Sequence, residues 1–131
     1  DIDLFSFDEI IICPSNPYVS INPMLQLSSL QNHLKKFPEK VTVISPIVNS
    51  KSLKGPTAKM MLELGDEISV NTIGEFYKNY SHRIFIDSAD KENSDFLTAV
   101  GYEVHCSNLV MNNTLSKNKL ADNIIKVLEG R

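Results

Sequence analysis

Two apolar runs each stop at Ser/Asn/Pro chemistry and then enter a helix, and they limit what this chain can become. The first is Glu9-Ile10-Ile11-Ile12-Cys13, followed by Pro14-Ser15-Asn16-Pro17-Tyr18-Val19-Ser20-Ile21-Asn22-Pro23. The second is Val41-Thr42-Val43-Ile44, followed by Ser45-Pro46-Ile47-Val48 and then Lys51-Ser52-Leu53-Lys54-Gly55-Pro56-Thr57-Ala58. Continuous apolar runs, unlike alternating ones, suit strands buried on both faces of a parallel sheet. In such a sheet, the places where strand carboxyl ends meet helix amino ends are where phosphorylated ligands bind.

The rest of the chain keeps the strand–helix alternation. Asn22 with Pro23 reads as an N-cap and first helical residue, and Leu27, Leu30 and Leu34 repeat at helical spacing up to Phe37-Pro38. Pro56 opens a helix carrying Met60, Met61 and Leu64, and Gly65 stops it. Thr72 is expected to cap a short helix with Ile73, Phe76 and Tyr77. A third strand is Arg83-Ile84-Phe85-Ile86-Asp87. A helix from Lys91 to Ala99 ends at Gly101, and Glu103-Val104-His105-Cys106 is a fourth strand. The last helix, Leu115 to Glu129, presents Leu120, Ile124, Val127 and Leu128 on one face. The fold class expected is α/β: an open, mostly parallel sheet with helices on both faces, a Rossmann-like three-layer arrangement.

Composition narrows the function classes. With 131 residues, 42% of them hydrophobic, the chain suffices for one domain with its own core. The formal net charge is −3 and no basic block occurs, which argues against nucleic acid as a partner. No apolar run approaches the roughly 20 residues that span a bilayer, so no membrane association is expected. Cys13 and Cys106 do not share a metal-ligand spacing; they read as buried free thiols of a cytoplasmic protein, with a disulfide as the alternative. The chain opens at Asp1 without a Met, as an excised portion of a longer polypeptide or a processed chain would.

In the first corner, Ser15 and Asn16 lie just past a strand, and Pro14 and Pro17 stiffen the turn that holds their donors. The same residues would equally form a capped turn holding no ligand. In the second, Ser45 and Pro46 end a strand, Lys51 and Lys54 add positive charge, and Gly55 permits close backbone approach before Pro56. A solvated lysine pair is the alternative there. The G-x-x-x-x-G-K-[ST] phosphate loop is absent. Asp87, Asp90 and Asp95 read as structural, with Asp90 capping the helix that starts at Lys91. His33 is placed on a polar helix face, His82 in a loop and His105 in a strand. No Ser/His/Asp or Cys/His set can be assembled from spacing. Met60, Met61 and Met111 read as core fillers.

Taken in order, Pro14-Ser15-Asn16-Pro17-Tyr18-Val19-Ser20-Ile21, Ser45-Pro46-Ile47-Val48, Lys51, Leu53-Lys54-Gly55-Pro56 and Met60-Met61-Leu62-Glu63-Leu64-Gly65 resemble the 2-phospho-L-lactate transferases of coenzyme F-420 biosynthesis. Phe85-Ile86-Asp87-Ser88-Ala89-Asp90 and Leu109-Val110-Met111 fit as well, so the resemblance runs from about Glu9 to Leu128. It implies transfer of a 2-phospholactyl group from lactyl-2-diphospho-5'-guanosine to the deazaflavin Fo, with release of GMP and assistance from Mg²⁺. It implies Ser15, Asn16 and Pro17 as phosphate or nucleotide contacts, and Ser45, Lys54 and Gly55 as a second wall, with Lys51 a weaker member. Family members are about twice as long, and their amino-terminal half carries a Gly-rich loop and the acidic metal ligands. The chain therefore resembles the carboxyl-terminal half of a larger α/β domain. It is expected to be inactive alone and to expose apolar surface through which a homodimer could form. The alternative on the same fold is a nucleotide- or sugar-nucleotide-binding regulator. Frequent Asn, Lys and Ile, together with the resemblance, suit an archaeal source.

Overall fold

The computed structural model describes residues 6–52 and 55–130. In chain order the elements are β1 (Ile10–Ile12), a π-helical turn (Pro17–Ile21), α1 (Asn22–Leu25), α2 (Ser28–Lys36), β2 (Val41–Ile44), β3 (Ile47–Val48), β4 (Lys51–Ser52), α3 (Thr57–Glu63), α4 (Val70–Tyr77), β5 (Arg83–Asp87), α5 (Ser94–Val100), β6 (Glu103–Ser107) and α6 (Thr114–Glu129). The main sheet has the order β1-β2-β5-β6, all parallel, with Ile10 beside Val41, Val43 beside Ile84 and Ile84 beside Val104.

Strands added in chain order through right-handed crossovers place their connecting helices on one face. The core follows that rule. Side chains alternate across a strand, and Val41, Val43, Ile84 and Ile86 pack with Leu34, Met61, Ile73 and Leu97 from the connecting helices. On the other face Ile44 and Phe85 pack with Leu109, Leu120 and Ile124, with Val127 and Leu128 alongside. The expected face of the last helix is therefore the one that α6 buries, and helices do cover both faces of the sheet.

Local chemistry shifts several boundaries. The first helical segment begins before Asn22: Asn16 caps the π-helical turn, its Oδ1 accepting from the N–H groups of Tyr18 (2.9 Å) and Val19 (3.2 Å). Ser69, not Thr72, caps α4, accepting from the Thr72 N–H. Asp87, not Asp90, caps the helical segment after β5, which begins as a 3₁₀ turn over Ser88–Asn93 and becomes α-helical only at Ser94. His33 is buried, its ring 5.2 Å from that of Phe37, because that face of α2 packs against the turn leading into β2. Both thiols are free, but exposed rather than buried: Cys13 lies past the end of β1 and Cys106 lies in the outermost strand. Met61 is core, but Met111 is 37% exposed, since it lies in the segment that leaves the sheet for α6.

The stretch after Pro46 is a hairpin. β3 and β4 pair antiparallel across Asn49 and Ser50, both left-handed (φ 49° and 55°). Two successive residues of that conformation make the tight turn whose twist suits a hairpin.

Candidate functional site

Because the four strands are parallel, the segments leaving their carboxyl ends emerge on one rim. Pro14-Ser15-Asn16 leave β1, Ser45-Pro46 leave β2, and Asn108 to Asn112 leave β6. A cleft of about 290 Å³ lies at this rim, lined by Pro14, Ser15, Asn16 and Pro46, by Leu109 to Asn112, and by Lys117. The first corner and Pro46 of the second thus face one space, together with a third wall.

Side chains distant in sequence lock the first corner to α3 and the turn after it. The Asn16 amide donates from Nδ2 to the Met60 sulfur at 3.2 Å, across 44 residues of chain. The Tyr18 hydroxyl donates to Asp66 Oδ2 at 2.7 Å, across 48. Burial, reinforced by the Asp66 hydrogen bond and charge, pushes the Tyr18 phenol well above its usual range, so it stays a donor. Asn16 is buried and both ends of its side chain are engaged, with Oδ1 capping the turn and one Nδ2 hydrogen on Met60. What it offers the cleft is backbone and amide surface. Ser15 is partly exposed on the lining. Pro17 is buried as the first residue of the π-helical turn.

Ser45 is placed differently. It is fully buried, and its hydroxyl donates to the Ile47 carbonyl (3.1 Å) while accepting from the Ile47 N–H (3.0 Å). It shapes the turn that presents Pro46 and does not itself line the cleft. Lys54 lies outside the described residues. Gly55 is exposed with φ +70°, a conformation that L side chains rarely adopt. Lys51 is exposed on β4 and is not on the cleft lining.

The third wall was not anticipated. Asp87, buried at the end of β5, accepts from the Leu109 N–H through Oδ2 (2.8 Å) and from the Ala89 N–H through Oδ1 (2.9 Å). That pins the segment after β6 back across the sheet. α6 then starts at a capping box in which Asn113 Oδ1 accepts from the Ser116 N–H and Ser116 Oγ from the Asn113 N–H. Lys117, in its first turn, reaches the lining and is the cation there among the described residues. The readable signal was the Asn113–Ser116 box, which fixes where α6 begins after the segment Asn108 to Asn112 that leaves β6.

Asp90 has another task. It is buried, and its Oδ2 accepts from the Asn49 N–H at 2.8 Å, clamping the β3–β4 turn. Burial pushes its carboxyl above the usual range; the Asn49 and Ser50 N–H groups oppose that shift, and the Asp87 and Glu92 charges add to it. No group of three or more His, Cys, Asp or Glu side chains is placed to hold a metal ion among the described residues. With the Asp87 and Asp90 oxygens given to backbone N–H groups, these residues do not fit a Mg²⁺ site.

The family model described as "2-phospho-L-lactate transferase CofD" matches residues 4–120. The chain belongs to this family. Among similar proteins, the 2-phospho-L-lactate transferase of Methanocaldococcus jannaschii is 40% identical over 119 residues, 91% of this chain and 37% of that protein. Those of Methanococcus maripaludis (32%, 95% of this chain, 38% of the relative) and Methanococcoides burtonii (29%, 95% and 40%) match over a similar span. The chain thus spans about two-fifths of the length of the curated relatives it matches. No helix among the described residues is long and apolar enough to cross a membrane.

Proposed function

We propose that this chain supplies one wall of the donor site in a cytoplasmic 2-phospho-L-lactate transferase, which moves a 2-phospholactyl group from lactyl-2-diphospho-5'-guanosine to the deazaflavin Fo. The terminal ribityl hydroxyl of Fo attacks the phosphorus that bears the lactyl group. A new P–O bond forms, the P–O bond to the guanylate breaks, GMP leaves, and the hydroxyl proton is lost. A transfer of this kind needs positioning and charge neutralisation more than covalent chemistry from the protein.

The observation that carries this reading is the shared cleft, in which Ser15 and Asn16 from the first corner, Pro46 from the second and Lys117 line one rim of a parallel sheet. The Ser15 hydroxyl and the backbone of Ser15 and Asn16 would bind non-bridging oxygens of the diphosphate. Lys117 would neutralise charge across the cleft. Ser45 and Gly55 would act by shaping the second corner, and Lys54 would serve as a further cation. Mg²⁺ would supply Lewis-acid charge neutralisation, and the residues described here do not provide its ligands.

Calorimetric titration with GDP tests the reading. We expect binding that Lys117→Met weakens about tenfold, as loss of one charge-assisted contact would, and that Lys78→Met, at the carboxyl-terminal cap of α4 and off the cleft lining, leaves unchanged. No GDP binding, or equal binding by both variants, overturns it. GDP binding by an assembly that releases no GMP when given Fo, donor and Mg²⁺ favours the nucleotide-binding regulator instead.

A further inference from the structure

The two edges of the main sheet are chemically unlike. β6 carries Glu103, His105 and an exposed Cys106, and polar or charged residues are how native sheets blunt a free edge. β1 is Ile10-Ile11-Ile12, with no charge and no proline. That is the composition of a strand with neighbours on both sides, yet among the described residues β1 pairs only with β2, and Ile11 is 41% exposed.

Both faces beside β1 are open and apolar. On the α6 side a groove of about 500 Å³ runs between Ile11, Cys13, Ile44, Leu120, Ile124 and Ile125, with Ile125 48% exposed. On the opposite side a groove of about 330 Å³ runs between Ile10, Ile12, Ile21, Met24, Leu25 and Leu30, with Met24 46% exposed. Edge and grooves form one continuous surface. Its shape fits a strand flanked above and below by helices, which is the next unit of the same three-layer sandwich.

We propose that the outer edge of β1 receives a strand, and the two grooves its flanking helices, from the polypeptide that the relatives carry outside the matched region. More than half of each of those relatives lies there. The proposal rests on family membership and on edge chemistry, not on the ligand assigned to the cleft. A second copy of this chain fits less well: two three-residue strands paired about a two-fold axis form few hydrogen bonds and leave the grooves without helices.

Residue-resolved hydrogen exchange tests it on two proteins, this chain alone and the intact M. jannaschii relative. We expect the β1 amides that point away from β2 to exchange at least 100-fold more slowly in the relative, at the residues aligned with Ile10–Ile12. Equally fast exchange in both overturns the proposal, because the edge is then open in the complete protein. Slow exchange already present in this chain alone also overturns it, and sedimentation as a dimer would name a second copy as the occupant. Exchange is read without ligand, so failure here is distinct from failure to bind GDP.

Discussion

Replacing Tyr18 with Phe removes one oxygen and leaves the ring, which still meets Phe76 edge-on at 6.0 Å. What is lost is the 2.7 Å hydrogen bond to Asp66 that ties the first corner to the end of α3. Hydrogen bonds to charged acceptors contribute about 1.5–3 kcal/mol, and Tyr18 is only partly buried, so the lower end applies: about 1.5 kcal/mol. For a chain of this size that lowers Tm by about 3–6 °C. A double-mutant cycle with Asp66→Asn, read by thermal and urea unfolding, isolates the pair; coupling of about 1 kcal/mol is expected. The phenol also sets a sign. Its folded pKa lies above the unfolded value of 10.0, so its contribution is whole below that pH and is lost as pH rises through the folded value. Tyr18→Phe therefore shows a shallower alkaline loss of stability than the parent. Tyr77 and Tyr102, both raised mainly by burial, preserve part of that loss in the variant. Additive single mutants, with Tm unchanged to within a degree, would refute the view that this bond holds the first corner to α3.

Four further outcomes follow from the packing. Burial pushes the Glu103 carboxyl up, but hydrogen bonds from His105 and Arg83 and their charges outweigh it, so its pKa lies below normal; its stabilisation is present above the unfolded value and is lost as pH falls through the folded one, and Glu103→Gln should flatten the acid limb of the Tm–pH curve. Asp90→Ala strands the Asn49 N–H and should cost about 1–3 kcal/mol in urea unfolding. Asp90→Asn keeps an acceptor, and because the Asp90 pKa is raised, the stability it relieves is that lost as pH rises through the folded value; the Asn variant should thus gain on the parent between acid and neutral pH. Gly74→Ala would press a Cβ against the Leu97 side chain in the α4–α5 contact, and overpacking of about 1–3 kcal/mol should exceed the helix-propensity gain of about 1 kcal/mol, lowering Tm.

The elements whose signal is local were readable in advance. β2 and β5 are continuous apolar runs bounded by turn residues, and the buried face of α6 follows from its spacing. Both chain corners were found because a strand end, a proline and a helix start are adjacent in sequence. What escaped depends on partners far along the chain. The β3–β4 hairpin turns on Asn49-Ser50 without the glycine that marks such turns, and a buried Asp90 from 41 residues on holds it. His33 reads as polar until the turn before β2 closes over it. Asn16 and Ser45 look like free donors in sequence, and only packing reveals that their side chains are already engaged. Lys117 joins the cleft because α6 doubles back over the sheet.

That doubling back hangs largely on one carboxylate. Asp87 joins the end of β5 to Leu109, 22 residues later, while α5 and β6 form the excursion between them. The geometry of the rim is therefore insulated from the length of that excursion: residues could be gained or lost around the α5–β6 connection, and Leu109 would still be moored to the same strand end, with Lys117 delivered to the same opening.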